Sequence, residues 1–276
     1  MHDPGPQSTD PSRWALVTGA SSGIGREFCV QLAARGYHLA LVARRADLLH
    51  ALASELRHTH GTACLVLPTD LASTGACQEI ERRLRKAEIE VEFLVNNAGY
   101  GLPGRFTEPT WPEHDDFIRV MVTAVCELTR RLLPGMQARG AGYIVNVASV
   151  AGLVPGSEGH TLYGAAKSFL IRFSESLALE NRPRGVNVSV LCPGFTYSEF
   201  HDVAGTRDLV RRLPALMWQD ATDVVRYGIE SVLNEPPRVV AIPGRLYRTL
   251  VGLNRFVPGF GRLSVKRMSK RFRHLK

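Results

Sequence analysis

Between Trp14 and Ala34 the chain runs from a short apolar stretch, Trp14-Ala-Leu-Val-Thr18, through Thr18-Gly-Ala-Ser-Ser-Gly-Ile-Gly25 into a helical pattern that stops at Gly36. Few folds accept a strand, a glycine-rich turn and a helix in that order. Glycines in such a turn serve separate ends: a tight bend, close approach of backbone to a pyrophosphate, and close packing of helix on strand. The helix start then offers N–H groups and a partial positive charge to phosphates. A glycine-rich turn means little alone. Its place between strand and helix, at the head of a βαβ unit, gives it weight. Gly19, Ser21, Ser22, Gly23 and Ile24 are therefore candidate binders of a dinucleotide.

The rest of the chain repeats the alternation. Strand-like runs occur at His38–Ala43, Ala63–Leu67, Glu92–Val95, Tyr143–Val147, Val186–Leu191 and Arg238–Ile242. Helical patterns lie between them at Ala46 to about His58, Thr74–Lys86, Pro112–Arg139, Thr161–Asn181 and Thr222–Asn234, the last capped by Thr222-Asp223. There is no repeat and no interdomain linker. The pattern predicts the α/β class: a single doubly wound Rossmann-type domain with a mostly parallel seven-stranded sheet. Residues 13–244 form that domain, with a substrate lid at about 195–220. Residues 1–12 read as a polar, disordered leader and 245–276 as a basic amphipathic extension.

Ligand-type residues recur where these strands end, at Gly19, Arg44, Asp70, Asn97, Ser149 and Pro193, the edge on which such folds bind ligands. An acid about 20 residues past the glycines would hold a ribose 2′-hydroxyl, whereas an Arg accommodates a 2′-phosphate. The second strand ends in Arg44-Arg45, and Arg44 occupies that place, which favours NADP(H) over NAD(H); the alternative is an Arg pair facing solvent. Asp70 can accept from an adenine amino group or cap the following helix. Asn96-Asn97 can bridge neighbouring strands and line a cofactor cleft, or simply turn the chain.

Tyr163 and Lys167 are four residues apart, one turn along one helical face. An ammonium near a phenol lowers its pKa from about 10, giving a general acid or base usable near neutral pH. With the Ser149 hydroxyl at a strand end, the three can polarise a carbonyl and deliver a proton. They cannot deliver hydride, so a cofactor is required. Alone, the pair reads first as a half-buried Tyr beside a snorkelling Lys, until a cofactor site is found.

With 276 residues, 45% hydrophobic and 22% charged, the chain can bury a full core. Its N-terminus has no apolar segment of the signal-peptide type. The five cysteines have no CxxC or Cys/His metal spacing, so they are expected to be reduced core thiols in a cytoplasmic protein without a metal site. The net charge of +8 is uneven: 11 of the 34 Lys and Arg lie from Pro236 onward, where there is no acid. The body is thus slightly acidic and the tail basic.

Taken together, Thr18–Gly25, Asn96-Asn-Ala-Gly99, Ser149, Tyr163-Gly-Ala-Ala-Lys167 and Pro193-Gly194 resemble the short-chain dehydrogenase/reductase family over about Trp14 to Gly244. The resemblance implies Tyr163 as proton donor or base. It implies Lys167 as the residue that lowers the Tyr pKa and holds the nicotinamide ribose, and Ser149 as a hydrogen bond to the substrate oxygen. It puts Asp70 on adenine and Asn97 in the cofactor cleft. Backbone after Pro193-Gly194 would meet the nicotinamide amide, with Ser198 where relatives commonly have Thr. It also implies a homodimer or homotetramer through the long helices.

One position departs from the family: in Val120-Met-Val-Thr-Ala124, Met121 stands where the family has Asn. Met cannot hold the water that would link Lys167 to solvent, so slow proton resupply is expected. The nearest-looking subgroup reduces ketones of hydrophobic or acyl-type substrates. Phe195, Tyr197, Phe200, Leu213, Leu216, Met217 and Trp218 are the candidate pocket of the lid. In the tail, Leu246, Leu250, Leu253 and Val257 form a stripe among basic residues. That pattern suits an anionic membrane surface, or equally a helix packed on the domain or on a partner copy. No nucleic-acid partner is expected.

The leading expectation is an NADPH-dependent carbonyl reductase. One alternative is a low-turnover NADP-binding sensor or scaffold, motivated by Met121. Another is an NAD-linked alcohol dehydrogenase.

Overall fold

The computed structural model describes residues 13–102, 104–197 and 214–256. Six main strands are β1 (Trp14–Thr18), β2 (His38–Ala43), β3 (Cys64–Pro68), β4 (Val91–Asn96), β5 (Gly142–Val147) and β6 (Val186–Leu191). The short strands β7 (Phe195–Thr196) and β8 (Trp218–Gln219) pair with each other, and β9 (Val240–Ala241) completes the main sheet. That sheet has seven strands in the order β3-β2-β1-β4-β5-β6-β9, and every pairing is parallel.

The apolar runs explain the architecture. Ala15, Leu16 and Val17 of β1, and Leu39 to Val42 of β2, are buried on both faces, so both faces need cover. Helices α1 (Gly23–Ala33) and α2 (Ala46–His60) cover one face with Phe28, Leu32, Leu49 and Leu56. The opposite face is covered by α3 (Ala76–Lys86), α5 (Ala124–Arg139) and α6 (Thr161–Asn181), through Ile80, Leu128, Met136 and Leu177. Helix α4 (Trp111–Ile118) precedes α5. Helix α7 (Ala221–Leu233) returns to the first face with Val225 and Ile229, and α8 (Arg245–Phe256) follows β9. The strand order reverses on either side of β1, which opens the ligand crevice at the C-terminal ends of β1 and β4.

Several boundaries differ from the sequence reading. The helix expected over Pro112–Arg139 is α4, a π-helical turn at Arg119–Thr123, and α5. Helix α3 starts at Ala76, after Gly75 takes a left-handed φ of 78°. Asp70 is therefore not its cap: its Oδ1 accepts from the Ala72 N–H at 3.0 Å in a local turn. The cap of α7 is Asp220, which accepts from the Thr222 N–H at 2.7 Å, whereas Thr222 and Asp223 lie inside the first turn.

Beneath the crevice a buried polar chain ties the sheet to α6. Asn96 donates to Asn146 Oδ1 at 2.8 Å and Asn146 donates to Ser174 Oγ at 2.9 Å. Asn96 also donates to Thr129 Oγ1 of α5 at 3.2 Å. Pairing of this kind offsets the desolvation of the buried amides.

Candidate active site

The glycine-rich turn is shaped by contacts from β4. Thr18 Oγ1 accepts from the N–H groups of Asn97 and Ala98, at 2.9 and 3.0 Å. The Asn97 side chain donates back to Thr18 O at 2.9 Å. A Cβ at Gly25 would lie 2.1 Å from Gly19 O and 2.4 Å from Asn97 Nδ2, so only glycine lets α1 approach the turn. Asn97 thus acts first as the brace of the turn. At the N-cap of α1, Ser22 makes no side-chain capping bond, and the helix's first N–H groups suit an anion.

Arg44 is exposed where β2 ends. Its charge and that of Asp70 both act on the Tyr100 phenol, whose pKa rises chiefly through burial. Arg45, which the motif argument passed over, donates to Ser21 Oγ at 3.1 Å and so reaches the glycine turn. Ser21, Arg45, Arg44 and Asp70 therefore line the β1–β3 edge of the crevice. The turn, the helix start and this basic edge fit a phosphate-bearing dinucleotide.

At the other edge, β5 delivers Ser149 into a short 3-10 turn, Val150–Gly152. Its Oγ accepts from the Ala151 N–H at 3.1 Å and hydrogen-bonds Tyr163. The Val150 N–H donates to Pro193 O at 3.0 Å, which zips the ends of β5 and β6 together. Lys167 is buried, and its Nζ donates to Val147 O at 2.8 Å.

The structure brings Ser149, Tyr163 and Lys167 together, but not with the expected electrostatics. Burial pushes Tyr163 up to about 12, while the Ser149 hydrogen bond pulls the other way. Burial brings Lys167 down to about 8. The ammonium lies 5.6 Å from the Tyr163 ring centroid and is directed at the β5 carbonyl. The phenol here is a neutral acid rather than a depressed one.

Met121 lies in the π-helical turn and is buried against Phe117 and Ala166, with Tyr100 and Tyr163 packed on the same cluster. A Cβ at Gly99 would lie 2.8 Å from Met121 Sδ. The place expected to carry an amide is therefore apolar and filled.

Pro193 and Gly194 follow β6. Ser198, Phe200 and Leu213 lie outside the described residues. Of the lid's flanks, Tyr197 stacks on Trp218 with ring centroids 4.6 Å apart. Leu216 and Tyr197 are exposed. Among the described side chains of α8 the buried one is Tyr247, off the Leu246–Leu250–Leu253 stripe, and Leu253 is exposed. Among the described residues no helix is long and apolar enough to cross a membrane.

Known proteins resemble this chain in sequence and in fold. A very-long-chain 3-oxoacyl-CoA reductase of Laccaria bicolor is 35% identical over 71% of this chain and 59% of its own length. A 17-beta-hydroxysteroid dehydrogenase type 3 of Mus musculus is 33% identical over 66% of this chain and 59% of its own. The chain spans about three-fifths of the length of these curated relatives. The structure of a short-chain dehydrogenase from Sphingobium yanoikuyae in complex with NADPH superposes with a TM-score of 0.76 at 33% identity, over 88% of this chain and 94% of that one. The family model for short chain dehydrogenase matches residues 13–207. With this match, the parallel sheet and the residues at its strand ends, the chain belongs to the short-chain dehydrogenase/reductase family, whose members are NAD(P)H-dependent oxidoreductases of CH–OH and C=O groups.

Proposed function

We propose that the protein is an NADPH-dependent reductase of ketones on hydrophobic or acyl-type substrates, with the reverse alcohol oxidation available to the same site. The observation that carries this reading is the triad of Ser149, Tyr163 and Lys167 at the ends of β5 and α6. When bound, the cofactor supplies the hydride. The protein's own groups handle the oxygen and the proton. The Ser149 and Tyr163 hydroxyls, already hydrogen-bonded to each other, hold the carbonyl oxygen. Tyr163 transfers its proton to that oxygen as charge develops there. A phenol that stays protonated to about 12 is ready to donate at neutral pH. Lys167, protonated below about 8, stabilises the phenolate left behind. Asp70 and the glycine turn take the adenosine and pyrophosphate. Arg44, with Arg45 and Ser21 beside it, takes a 2′-phosphate, which supports NADPH over NADH.

The apolar substrate class rests on the aromatic lid flank, Phe195, Tyr197 and Trp218, and on relatives named for 3-oxoacyl-CoA and hydroxysteroid chemistry. Attachment to an anionic membrane surface belongs to the same proposal, since Arg245 and Arg248 are exposed on α8. So does a homodimer or homotetramer.

The apolar packing of the buried Met121 favours a second reading, an NADP-binding sensor with little turnover. NADPH consumption over a panel of hydrophobic ketones and acyl ketones decides between them. We expect turnover in the wild type and a loss of at least about 10²-fold in Tyr163→Phe, the low end of general acid–base contributions. Tight NADPH binding with no turnover on any ketone would support the sensor. Equal rates in both proteins would reject Tyr163 as the proton donor.

A further inference from the structure

We propose that Tyr247, on the C-terminal helix α8 and beyond the residues matched by the family, is a positioning residue for the nicotinamide end of the cofactor site, acting with Gln219. The inference rests on the dinucleotide reading of the crevice. Tyr247 is only 4% exposed, whereas the other described side chains of its helix, over 245–254, are at least partly exposed. Its hydroxyl accepts from the Phe195 N–H at 3.1 Å and donates to Met217 O at 2.5 Å. Its ring lies against Gly194, where a Cβ would fall 2.0 Å from Cζ. Glycine at 194 is thus required by a protein side chain, whatever ligand the loop also meets.

Gln219 completes the arrangement from the lid's return strand. Its Oε1 accepts from the Gly194 N–H at 2.9 Å, and its Nε2 donates to Pro243 O at 2.7 Å, just ahead of α8. Two consecutive backbone N–H groups after Pro193 are therefore held by side chains from farther along the chain. Pro193 in turn accepts from Val150, next to Ser149. Hydrogen bonds and the short backbone between them thus link α8, through the loop after β6, to the Ser149 hydroxyl, which donates to Pro193 O at 3.5 Å. The same two side chains hold Met217 and Pro243, so the start of the lid, its return and the C-terminal helix share one fixing point. A segment held in this way meets a ligand without first having to order itself.

The test uses the full chain with Tyr247→Phe, which keeps the ring against Gly194 and removes only the hydroxyl. The Phe195 N–H and the Met217 carbonyl lose their partner, and the loop relaxes to find others. We expect the Kd for NADPH, read from nucleotide fluorescence, to rise about tenfold. The KM for NADPH should rise with it, while kcat falls less than threefold. Gln219→Leu should shift Kd in the same direction. In the double variant the shifts should be less than additive, because both side chains hold one segment. A lower melting temperature with an unchanged Kd in Tyr247→Phe would make Tyr247 merely structural and overturn the proposal. A change of Kd below twofold in both single variants would do the same. Absence of NADPH binding to the wild type would instead remove the dinucleotide reading on which the inference stands.

Discussion

Burial governs protonation at the triad. Lys167 has its pKa brought down from 10.5 to about 8 because the charged form is desolvated. An unfolded Lys binds its proton below about 10.4, the folded one only below about 8. Between these values the unfolded state holds the extra proton, so stability rises with pH across the window, and the burial penalty is complete below it. The change is worth about 3 kcal/mol. Urea unfolding of wild type and Lys167→Met should therefore show their stability difference moving by about that amount in favour of the wild type as the pH is raised from about 7.5 to 10.5. A difference that stays flat would mean that Lys167 is better solvated than its surroundings indicate. The Tyr-x-x-x-Lys spacing was legible as a helical face, but its electrostatics were not. They depend on Val147, which accepts from Lys167 across 20 positions of sequence.

At the scale of elements, α6 carries the chemistry and the buried amides hold it to the sheet. Asn146→Leu would take one hydrogen-bond partner each from Asn96 and Ser174, both buried, leaving Asn96 its bond to Thr129 and Ser174 its bond to Leu170. We expect a loss of about 1–3 kcal/mol in chemical denaturation, from the buried hydrogen-bonding capacity left unmet at both side chains. A change under about 0.5 kcal/mol would show that water enters and satisfies them. The helices and strands themselves were readable from apolar periodicity. The π-helical turn at Arg119–Thr123 was not, because one extra residue in a turn scarcely alters that periodicity. It brings Met121 onto Gly99, a contact between two elements that neither announces alone.

At the scale of the molecule, the crevice exists because the strand order reverses around β1, and a ligand that spans it ties β1 and β2 to β5 and β6. NADPH at a hundred times its Kd should add about 2.7 kcal/mol of stability, or roughly 5–10 °C in melting temperature for a domain of this size. NADH at the same concentration should give less than half that shift, and equal shifts would remove the argument from Arg44 and Arg45. The doubly wound sheet and the order of the motifs along its edge were determined by the sequence alone, since each rests on a local pattern: an apolar run, a glycine turn, a spacing of four. Asn97 bracing the turn, Arg45 on Ser21, Met121 filling the relay position and Tyr247 against Gly194 were decided only by tertiary structure. In each, the partners are brought together by strand order and helix packing, and a contact made in that way leaves no periodicity in the chain to read.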